Sequence, residues 1–364
     1  MTRPHSTSKP TVGLCMIVKN ERDVIERCMT KVAPIIDTWT IVDTGSSDET
    51  QEIIRSTAKS LGIEGRLHQR PWVNFGHNRT EAIQLAREHS DYLFFIDADE
   101  ILELPDGYKL PHLDKDAYAV TMASGDLRYS RTCLASTKLP LKYTGVMHEY
   151  LDPGKPIDPE LLNGVFVWFT SEGARSKNPR KYHDDARVLE EGLKQEPDNL
   201  RYWYYLAQCW REAGEIDKAI QTYQHRAALR GWAEEDWHAM YQVARLMDRA
   251  GYPDGSVINA YLKAFDYRPS RAEPLVWLAC YLRHKNRWPS AKAILLEAVK
   301  IPVSKDRLFV EIDCYGWRRS DEFALALYHL GDKTNAQKLW ESLLKPGQLP
   351  SDQTDRIKKN LGFC

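Results

Sequence analysis

The sequence contains no long apolar run. Among its 364 residues, no window approaches 18 consecutive apolar side chains, so the sequence predicts no transmembrane helix. The first six residues lack the apolar core of a secretory signal peptide, and we expect residues 1–10 to be a short disordered lead-in.

Net charge is also nearly absent. With 50 basic and 51 acidic residues, the chain gives no general electrostatic reason to expect binding to nucleic acid or to an anionic membrane.

Cysteine is scarce and scattered. The seven cysteines are odd in number and show none of the close spacings that are typical of zinc sites. Most of them lie in apolar runs, where a free thiol is usually buried. Because unpaired, buried thiols are typical of a reducing compartment, we expect a cytoplasmic protein.

Two phosphate-binding motifs are absent as well. The sequence has no Gly-x-x-x-x-Gly-Lys-Ser/Thr loop, and no Gly-x-Gly-x-x-Gly follows its first predicted strand. These absences disfavour a P-loop kinase and a dinucleotide-dependent dehydrogenase. The remaining composition, 43% hydrophobic and 28% charged, is that of an ordinary globular protein, and the length suits two domains.

The first half of the chain contains several predicted strands. Residues 12–18 form a continuous apolar run, which is typical of a strand that is buried on both faces. Further strands are predicted at residues 40–43, near residues 66–70 and at residues 92–96. Helical patterns separate these strands, and this alternation predicts an α/β domain with a mostly parallel sheet.

The helices between these strands have recognisable start and stop signals. Asn20 is a plausible N-cap for the first helix. Ser46 and Glu49 have the spacing of a capping box for the second helix, which is predicted to end at Gly62. A third helix is predicted over roughly residues 78–89.

The second half, from about Pro179 onward, is predicted to be helical and self-similar. Small and large apolar residues recur in an order that matches tetratricopeptide repeats, whose period is about 34 residues. The clearest anchors are Ala207, Gly214, Ala219, Tyr223, Ala279, Ala291, Leu295, Ala298, Ala324, Gly331, Ala336 and Trp340. We therefore predict an α/β domain at residues 11–178 and an all-α repeat domain at residues 179–364. The many aromatic residues of the second half are expected to fill the repeat core.

Carboxylates follow three of the predicted strands. Glu21 comes shortly after the first strand, Asp43 ends the second, and Asp97 and Asp99 follow the strand at residues 92–96. Because ligands bind beyond the carboxyl ends of parallel strands, these side chains are expected to converge on one site. Hard carboxylate oxygens suit Mg²⁺ or Mn²⁺, often together with substrate phosphates. The sequence therefore predicts a metal–diphosphate site.

Five stretches in this half resemble the family-2 inverting glycosyltransferases, which have the GT-A fold. They occur in the family's order on the expected elements, within residues 11–150, and they are residues 15–21, 41–50, 72–79, 95–100 and 143–149. The run at residues 172–176 and the repeats behind it also resemble bacterial glycosyltransferases that carry tetratricopeptide repeats. The resemblance implies a Rossmann-like GT-A domain followed by a repeat domain.

The resemblance also implies roles for residues that would bind the nucleotide. Asp43 would hydrogen-bond the base, usually uracil. Asn20 and Glu21 would lie near the base or the ribose. Asn78 and Arg79 would contact the nucleoside from the start of the third helix.

Further implied roles concern the metal and the reaction. Asp97 would contact the ribose, and Asp99 would coordinate the Mn²⁺ or Mg²⁺ that bridges the diphosphate. His148 would be a further metal ligand or a diphosphate contact. Inversion requires a carboxylate that removes the acceptor proton, and Glu149 is the expected base, with Asp126 as the alternative. The competing interpretation of His148 and Glu149 is a solvated loop pair.

Four basic residues are candidate phosphate contacts, namely Arg128, Arg131, Arg175 and Lys177. The planar fork of arginine suits phosphate, and Arg175 is favoured because it lies in the family-like run at residues 172–176. For each of the four, the alternative is an ordinary exposed cation.

The family resemblance implies a nucleotide-sugar donor that is UDP-linked. Transfer of a single sugar is expected, because the Gln-x-x-Arg-Trp motif of processive synthases is absent. A saccharide or lipid-linked glycan is the first candidate acceptor. A peptide or protein, modified on sulfur or oxygen, is the chief alternative, since sublancin-type peptide S-glycosyltransferases are similar in combining these two domains. A modified nucleobase in phage DNA is disfavoured by the near-neutral charge.

The repeats are expected to bind a protein partner or to form a homodimer. A non-enzymatic alternative is an interaction scaffold whose transferase domain has lost its activity. The complete set of Asp43, Asp97, Asp99 and Glu149 favours the enzyme over this scaffold.

Overall fold

The structure is a computed structural model that describes residues 9–124, 127–306 and 308–364. Most of the predicted lead-in, residues 1–8, therefore lies outside the described residues. The chain divides into two compact units, residues 1–189 and residues 190–364, which are called unit 1 and unit 2 below. Within the described part of the chain, none of the helices is both long and apolar enough to cross a membrane.

Unit 1 is built from strands and helices that alternate at first and then give way to a run of strands. Its strands are β1 (Val12–Val18), β2 (Thr38–Asp43), β3 (Gly65–Gln69), β4 (Tyr92–Phe95), β5 (Ile101–Glu103), β6 (Ala117–Ser124), β7 (Leu127–Ser136), β8 (Lys142–Thr144), β9 (Tyr150–Asp152) and β10 (Glu160–Trp168). Its helices are α1 (Ile25–Val32), α2 (Thr50–Leu61), α3 (Phe75–Ala86) and the first part of α4 (Lys181–Gln195).

Eight of these strands form one sheet in the order β3-β2-β1-β4-β7-β6-β10-β5, and β8 pairs with β9 in a separate hairpin. β1 lies between β2 and β4 and is parallel to both, while β3 is parallel to β2. β7 is antiparallel to its neighbours β4 and β6. The predicted parallel arrangement is confirmed, and the carboxyl ends of β1, β2 and β4 share one edge of the sheet.

Successive side chains of β1 enter two different cores. Leu14 and Met16 pack in a cluster that includes Met29 of α1, whereas Cys15 packs in another cluster with Ile83 of α3. Because neighbouring side chains of a strand point to opposite faces, a strand between two helical layers must be apolar at every position. This explains the continuous apolar run at residues 12–18.

The first helix begins later than predicted. Asn20 does not cap it, because α1 begins at Ile25. Asn20 instead adopts a φ of 57° in a turn, where its Oδ1 accepts a hydrogen bond from the N–H of Ser47 at 2.8 Å. A residue in this left-handed conformation is rarely anything but glycine, asparagine or aspartate. The side chain therefore joins two loops at the sheet edge.

The second helix also lacks its predicted cap. α2 begins at Thr50, and the backbone N–H and the hydroxyl of Ser46 both donate to Asp43 Oδ1, at 3.0 and 2.6 Å. The capping box at Ser46 is therefore wrong, because a nearer carboxylate at the end of β2 engages the serine. The predicted end is correct, since Gly62 takes the left-handed C-cap conformation with φ 68°.

The third helix starts almost one turn earlier than predicted. α3 begins at Phe75, and the side chain of Asn74 caps it by accepting a hydrogen bond from the N–H of His77 at 2.8 Å. Gly76 in its first turn lies very close to the loop after β8. A Cβ atom at this position would come within 2.2 Å of the carbonyl oxygen of Gly145, so only glycine permits this approach.

Unit 2 is helical, and none of its described residues forms a strand. Its helices are α5 (Leu200–Glu212), α6 (Ile216–Leu229), α7 (Ala233–Arg249), α8 (Asp254–Tyr267), α9 (Glu273–His284), α10 (Trp288–Ala298), α11 (Trp317–His329), α12 (Lys333–Leu343) and α13 (Thr354–Leu361). Consecutive helices pack against each other along the unit. A longer connection joins α10 to α11, and the described residues of this connection include one short 3-10 turn, Ile312–Tyr315.

The core of unit 2 is formed by the residues that the repeat pattern singles out. Ala207, Ala219, Ala279 and Ala324 are fully buried, which allows neighbouring helices to approach closely. Large aromatic side chains, such as Trp340, are also buried in the helical core. The aromatic residues of this half thus serve mainly as core, as predicted. Six of the seven cysteines are buried, Cys364 is exposed, and none of the seven forms a disulfide bond.

Candidate active site

A cavity of about 610 Å³, the first cavity below, opens in unit 1 where β1, β2 and β4 end. Its volume is in the range that small-molecule sites usually have. Several residues that were predicted to bind a nucleotide or a metal line it, namely Asn20, Glu21, Arg79, Asp97, Asp99 and Arg175. The structure thus brings together residues that are widely separated in the sequence.

The turn after β1 supplies two of these residues and is tied to its surroundings. The N–H of Asn20 donates to Ser46 Oγ, and the N–H of Glu21 donates to Thr50 Oγ1, both at 2.8 Å. The carboxylate of Glu21 accepts a hydrogen bond from the N–H of Ala174 at 3.3 Å. The segment around residue 174 therefore closes the cavity opposite the sheet edge.

Asp43 is buried at the end of β2 and does not line the first cavity. One of its carboxylate oxygens accepts hydrogen bonds from Ser46, and the other accepts one from Gln51. The next residue, Thr44, does line the cavity. Asp43 therefore lies behind the wall in this structure, with both oxygens occupied by protein donors.

Asn78 is fully buried and does not line the first cavity. Its Oδ1 accepts from the N–H of Val73 at 2.9 Å, and its Nδ2 donates to the carbonyl oxygen of Pro71 at 3.0 Å. The predicted contact with a nucleoside is therefore not supported by its position. Its amide instead fixes the loop before α3, because both of its ends bind that loop's backbone.

An aromatic wall was not assigned from the sequence. Trp72 and Phe75 both line the first cavity, with their rings edge to face at 4.7 Å. The guanidinium of Arg175 lies over the Phe75 ring at 4.3 Å and pairs with Asp185 of α4. The only sequence signal for this wall was the aromatic content of the family-like stretch at residues 72–79.

Asp97 and Asp99 follow β4 directly, and both carboxylates reach the first cavity. Burial alone would raise the pKa of Asp97, but the nearby Arg79, Arg131 and Arg175 hold it below its ordinary value. The pKa of Asp99 is instead raised, by burial and by the negative charge of Asp97. The charge of Asp99 is therefore less well compensated by nearby cations than that of Asp97.

The pKa of Glu21 is raised for the same reasons. Burial, together with the charges of Asp99 and Asp97, raises its pKa to about 7, although a hydrogen bond from the backbone of Ala174 acts in the opposite direction. The negative charge of Asp97 thus raises the pKa of both Glu21 and Asp99, which line the same cavity. Such a site is electrostatically prepared for a cation.

Arg79 is a bridge between two carboxylates. Its Nη2 donates to Asp97 Oδ1 at 2.5 Å, and its Nε lies 2.7 Å from Glu149 Oε1 without making a well-aligned hydrogen bond. Its guanidinium also lies 5.5 Å from the ring centre of Tyr143. The sequence predicted Arg79 and Glu149 separately and did not connect them.

A second cavity, of about 400 Å³, shares Arg79 and Asp97 with the first. Glu149 lines this second cavity, and its side chain is largely buried. Four residues that carry hydroxyl groups are part of the remaining lining, namely Ser130, Thr132, Tyr143 and Tyr150. The predicted base thus faces a polar cavity that adjoins the first one.

Arg131 was a candidate phosphate contact, and the structure pairs it with Glu100. Its two terminal nitrogens donate to the two carboxylate oxygens at 2.8 and 2.6 Å. Glu100 also accepts a hydrogen bond from the N–H of Asp97 at 3.0 Å. Burial and Asp97 raise the pKa of Glu100, while Arg131 favours its ionised form. This pair fixes the backbone at the acidic turn.

Other predicted residues are not part of either cavity wall. His148 is exposed, with a φ of 50°, and it lines neither cavity, so it is not placed with Asp99 on a common wall. Lys177 is exposed and pairs with Asp23 at 2.7 Å, as an ordinary surface cation does. Asp126 and the side chain of Arg128 lie outside the described residues.

Comparison with protein families gives two matches. Residues 14–130 match the model of glycosyl transferase family 2, and residues 180–236 match a tetratricopeptide repeat model. The first match covers β1 to β4, the acidic turn at residues 97–99 and the start of β7. The second begins at α4 and includes α5 and α6.

Two curated relatives are similar over part of the chain. A TPR repeat-containing protein of Synechococcus elongatus is 32% identical over 149 residues, which are 39% of this chain and 35% of that protein. The SPbeta prophage-derived glycosyltransferase SunS of Bacillus subtilis is 22% identical over 222 residues, which are 57% of this chain and 50% of SunS. The chain therefore matches about a third to a half of the length of these relatives.

Among solved structures, that of BtubC from P. vanneervenii is similar with a TM-score of 0.40 and 16% identity, over 53% of this chain and 83% of BtubC. This likeness is too low to support a functional comparison. The family matches, together with the parallel sheet and the helical unit, assign the two parts of the chain. Residues 14–130 form a glycosyltransferase family 2 domain, and tetratricopeptide repeats follow it.

Proposed function

We propose that this protein is a metal-dependent, inverting glycosyltransferase that moves a single sugar from a UDP-linked donor to a saccharide or lipid-linked glycan. The observation that carries the proposal is the convergence of Glu21, Asp97 and Asp99 on one cavity at the edge of the parallel sheet. The family 2 match of the same residues supports sugar transfer as the reaction.

The donor would lie in the first cavity. The rings of Trp72 and Phe75 offer an apolar wall for the nucleotide base, and Arg175 offers a planar fork for the diphosphate. Asp97, with its lowered pKa, is suited to accept hydrogen bonds from the ribose hydroxyls as an ionised carboxylate. Asp43 would contact the base only after exchanging one of its present hydrogen bonds.

A divalent cation fits the residues of this cavity. The raised pKa of Asp99 reflects burial and an acidic neighbour, and a bound Mn²⁺ or Mg²⁺ would relieve this repulsion. Carboxylate oxygens are the ligands that both ions prefer. When bound, the metal would offset the negative charge that develops on the diphosphate leaving group. His148 stays a predicted further ligand without support from its position.

Glu149 would act as the base from the second cavity. Its carboxylate would take the proton of an acceptor hydroxyl while that oxygen bonds to the anomeric carbon, and the bond from this carbon to the diphosphate oxygen would break. Arg79 contacts both Glu149 and Asp97, so it would hold the base at a fixed position beside the donor.

The acceptor is proposed to enter the second cavity. The several hydroxyl groups on its wall suit a polyhydroxylated acceptor, since each can donate and accept hydrogen bonds. This supports a saccharide over a peptide acceptor. A mass-spectrometric assay with saccharide, peptide and modified-nucleobase acceptors would distinguish the three classes.

The proposal is tested at Asp99. A ligand that binds only the folded state raises the melting temperature. In the wild-type protein, a UDP-sugar should therefore raise the melting temperature only when Mn²⁺ or Mg²⁺ is present, since the proposed donor site requires the metal. Asp99→Ala should abolish this shift and donor turnover. Asp106→Ala removes an exposed carboxylate of the same unit and should behave as wild type.

Two results would contradict the proposal. Wild-type donor turnover by Asp99→Ala, with metal present, would exclude the metal role of this residue. Absence of both donor binding by calorimetry and hydrolysis of any nucleotide sugar would instead favour the inactive scaffold.

A further inference from the structure

A segment of unit 2 lies against helices that are far from it in the sequence. This segment, the resident segment below, consists of residues 304–306 and 308–311 between α10 and α11 and forms neither helix nor strand. Several of its hydrogen-bond partners are 34 to 74 positions away along the chain. Arg307 lies outside the described residues, and no contact of it is used.

Part of the contact is made with the backbone of the resident segment. Arg271 donates to the carbonyl oxygens of Leu308 and Phe309 at 3.0 and 2.8 Å. Glu234 accepts a hydrogen bond from the N–H of Leu308 at 2.8 Å. Such contacts do not depend on the side chains of the bound segment, and main-chain hydrogen bonds are a common source of affinity for extended peptides.

Two carboxylates of the resident segment are bound at separate positions. Asp306 accepts hydrogen bonds from Arg268 at 2.6 and 2.5 Å. Glu311 accepts from the hydroxyl of Tyr241 at 2.7 Å and from the indole N–H of Trp277 at 2.9 Å. The helices therefore present matching donors for two acidic side chains that are five positions apart, and these contacts fix the register of the segment.

Several apolar side chains in and beside the resident segment are exposed. Val303, Phe309 and Ile312, in and beside it, are each more than half exposed. The Phe309 ring lies 4.8 Å from that of His238, and Phe309 has a φ of 44°, which is unfavourable for an aromatic residue. Val310 packs against the apolar cluster that includes Leu275 and Tyr315, so this segment is held by polar contacts together with one apolar contact. The backbone at Phe309 is strained.

The cations that bind the resident segment also have partners in the helices themselves. Arg271 pairs with Glu273 at 2.7 Å and lies 3.7 Å from the ring centre of Trp237. Arg268 lies 4.0 Å from Glu234. A buried charge without any partner is strongly destabilising. Because these pairs do not involve the segment, the helices could keep their structure when it leaves.

We propose that α7, α9 and residues 268–273 form a groove for an extended acidic peptide, and that the resident segment occupies this groove as an intramolecular ligand. The partner would carry two carboxylates five positions apart, with an aromatic residue between them. A tethered ligand has a high effective concentration, so a partner peptide must compete with the resident segment. The proposal does not depend on the sugar-transfer reaction.

The test uses the full-length chain and a fluorescent peptide with the sequence of residues 303–313. Binding is measured by fluorescence anisotropy to wild type and to the double variant Asp306→Asn/Glu311→Gln, whose resident segment is weakened. We expect at least a 10-fold tighter Kd for the double variant. The same peptide with Asn and Gln at its two acidic positions should bind that variant at least 10-fold more weakly.

A matched control variant, Glu341→Gln/Asp352→Asn, removes two exposed carboxylates elsewhere in unit 2 and should bind the peptide as wild type does. Equal affinity of wild type and the folded double variant for the acidic peptide would overturn the proposal. So would equal affinity of that variant for the acidic and the neutral peptide.

A second measurement keeps the proposal testable if the double variant does not fold. In the wild-type chain, excess acidic peptide should speed hydrogen exchange of the Leu308 and Glu311 amides, because displacement frees both from their carboxylate partners. Unchanged exchange at millimolar peptide would identify the resident segment as a permanently docked loop and would overturn the proposal.

Discussion

At the scale of single residues, Arg79 links the two cavities. Its largely buried guanidinium contacts Asp97 on one side and Glu149 on the other. Two carboxylates so close to each other would repel without this cation, and the buried cation would be destabilising without them. The three side chains therefore stabilise one another. For this reason, a test of Glu149 as the base must measure donor affinity as well as the rate of transfer.

Glu149→Gln keeps the size of this side chain but removes its ability to accept a proton. We expect the rate of sugar transfer to fall about 100-fold or more, as is usual when a general base is lost. Donor affinity, measured by calorimetry, should stay close to that of wild type. Glu160→Gln, an exposed position on β10, is the control. Unchanged transfer would remove Glu149 from the role of base.

Glu21 should make stability depend on pH. The folded state raises its pKa from an ordinary value of 4.5 to about 7. Because the folded protein holds the proton more tightly, the resulting stability is present below about pH 4.5 and is lost as the pH rises through about 7.

Glu21→Gln should remove this loss. In metal-free buffer at pH 8, we expect its melting temperature to exceed that of wild type by about 2 to 4 °C. Solvent screens this partly exposed carboxylate, so we expect about 1 kcal/mol, and in a domain of this size that gives such a shift. At pH 4.5 the two proteins should melt at nearly the same temperature. An equal difference at both pH values would show that the effect is unrelated to ionisation.

At the scale of elements, α3 determines where Arg79 lies. The cap at Asn74 sets the start of the helix, and Asn78 fixes the loop before it. Gly76 allows the first turn to approach the carbonyl oxygen of Gly145. The position of the bridging guanidinium is therefore set by local hydrogen bonds and by one close backbone contact.

Gly76→Ala should disturb this contact. The added Cβ would lie 2.2 Å from a backbone oxygen, so α3 or the loop after β8 must move. We expect the free energy of unfolding, measured with urea, to fall by about 1 to 3 kcal/mol, as for other overpacked sites. Transfer activity should fall as well.

Gly255→Ala in α8 is the matched control, since a Cβ there meets open space. Its effect should be neutral or slightly stabilising, because alanine favours helix over glycine. Equal urea stability of Gly76→Ala and wild type would contradict the close contact between α3 and the loop.

At the scale of the whole molecule, the chain contains two units with separate cores. The clusters of unit 1 join the sheet to its helices, and those of unit 2 join helices to one another. Residues for the donor, the metal and the base all belong to unit 1, whereas the proposed peptide groove belongs to unit 2.

Ligands should therefore stabilise the units differently. In scanning calorimetry, we expect two transitions, of which only that of unit 1 moves when UDP-sugar and Mn²⁺ are added. At 100 times its Kd, a ligand stabilises by about 2.7 kcal/mol, or roughly 5 to 10 °C for a unit of this size. EDTA should abolish the shift. An equal shift of both transitions would contradict independent stabilisation of unit 1.

The sequence by itself determined the order of the first four strands and first three helices of unit 1, the sheet edge at which carboxylates meet, and the repeat anchors of unit 2. These features follow from apolar periodicity and from turn residues, which act over a few neighbouring positions. Even so, local signals misjudged the helix starts, because Ser46 is engaged by Asp43 and Asn74 caps α3 before the predicted position.

Only the tertiary structure decided which predicted residues work together. In the structure, Arg79 contacts Asp97 and Glu149, and Arg131 pairs with Glu100. Asn78 instead hydrogen-bonds the loop before α3. The structure also places residues 304–311, apart from the undescribed Arg307, against α7 and α9. Most of these contacts connect positions tens of residues apart, and periodicity carries no information about partners at that distance.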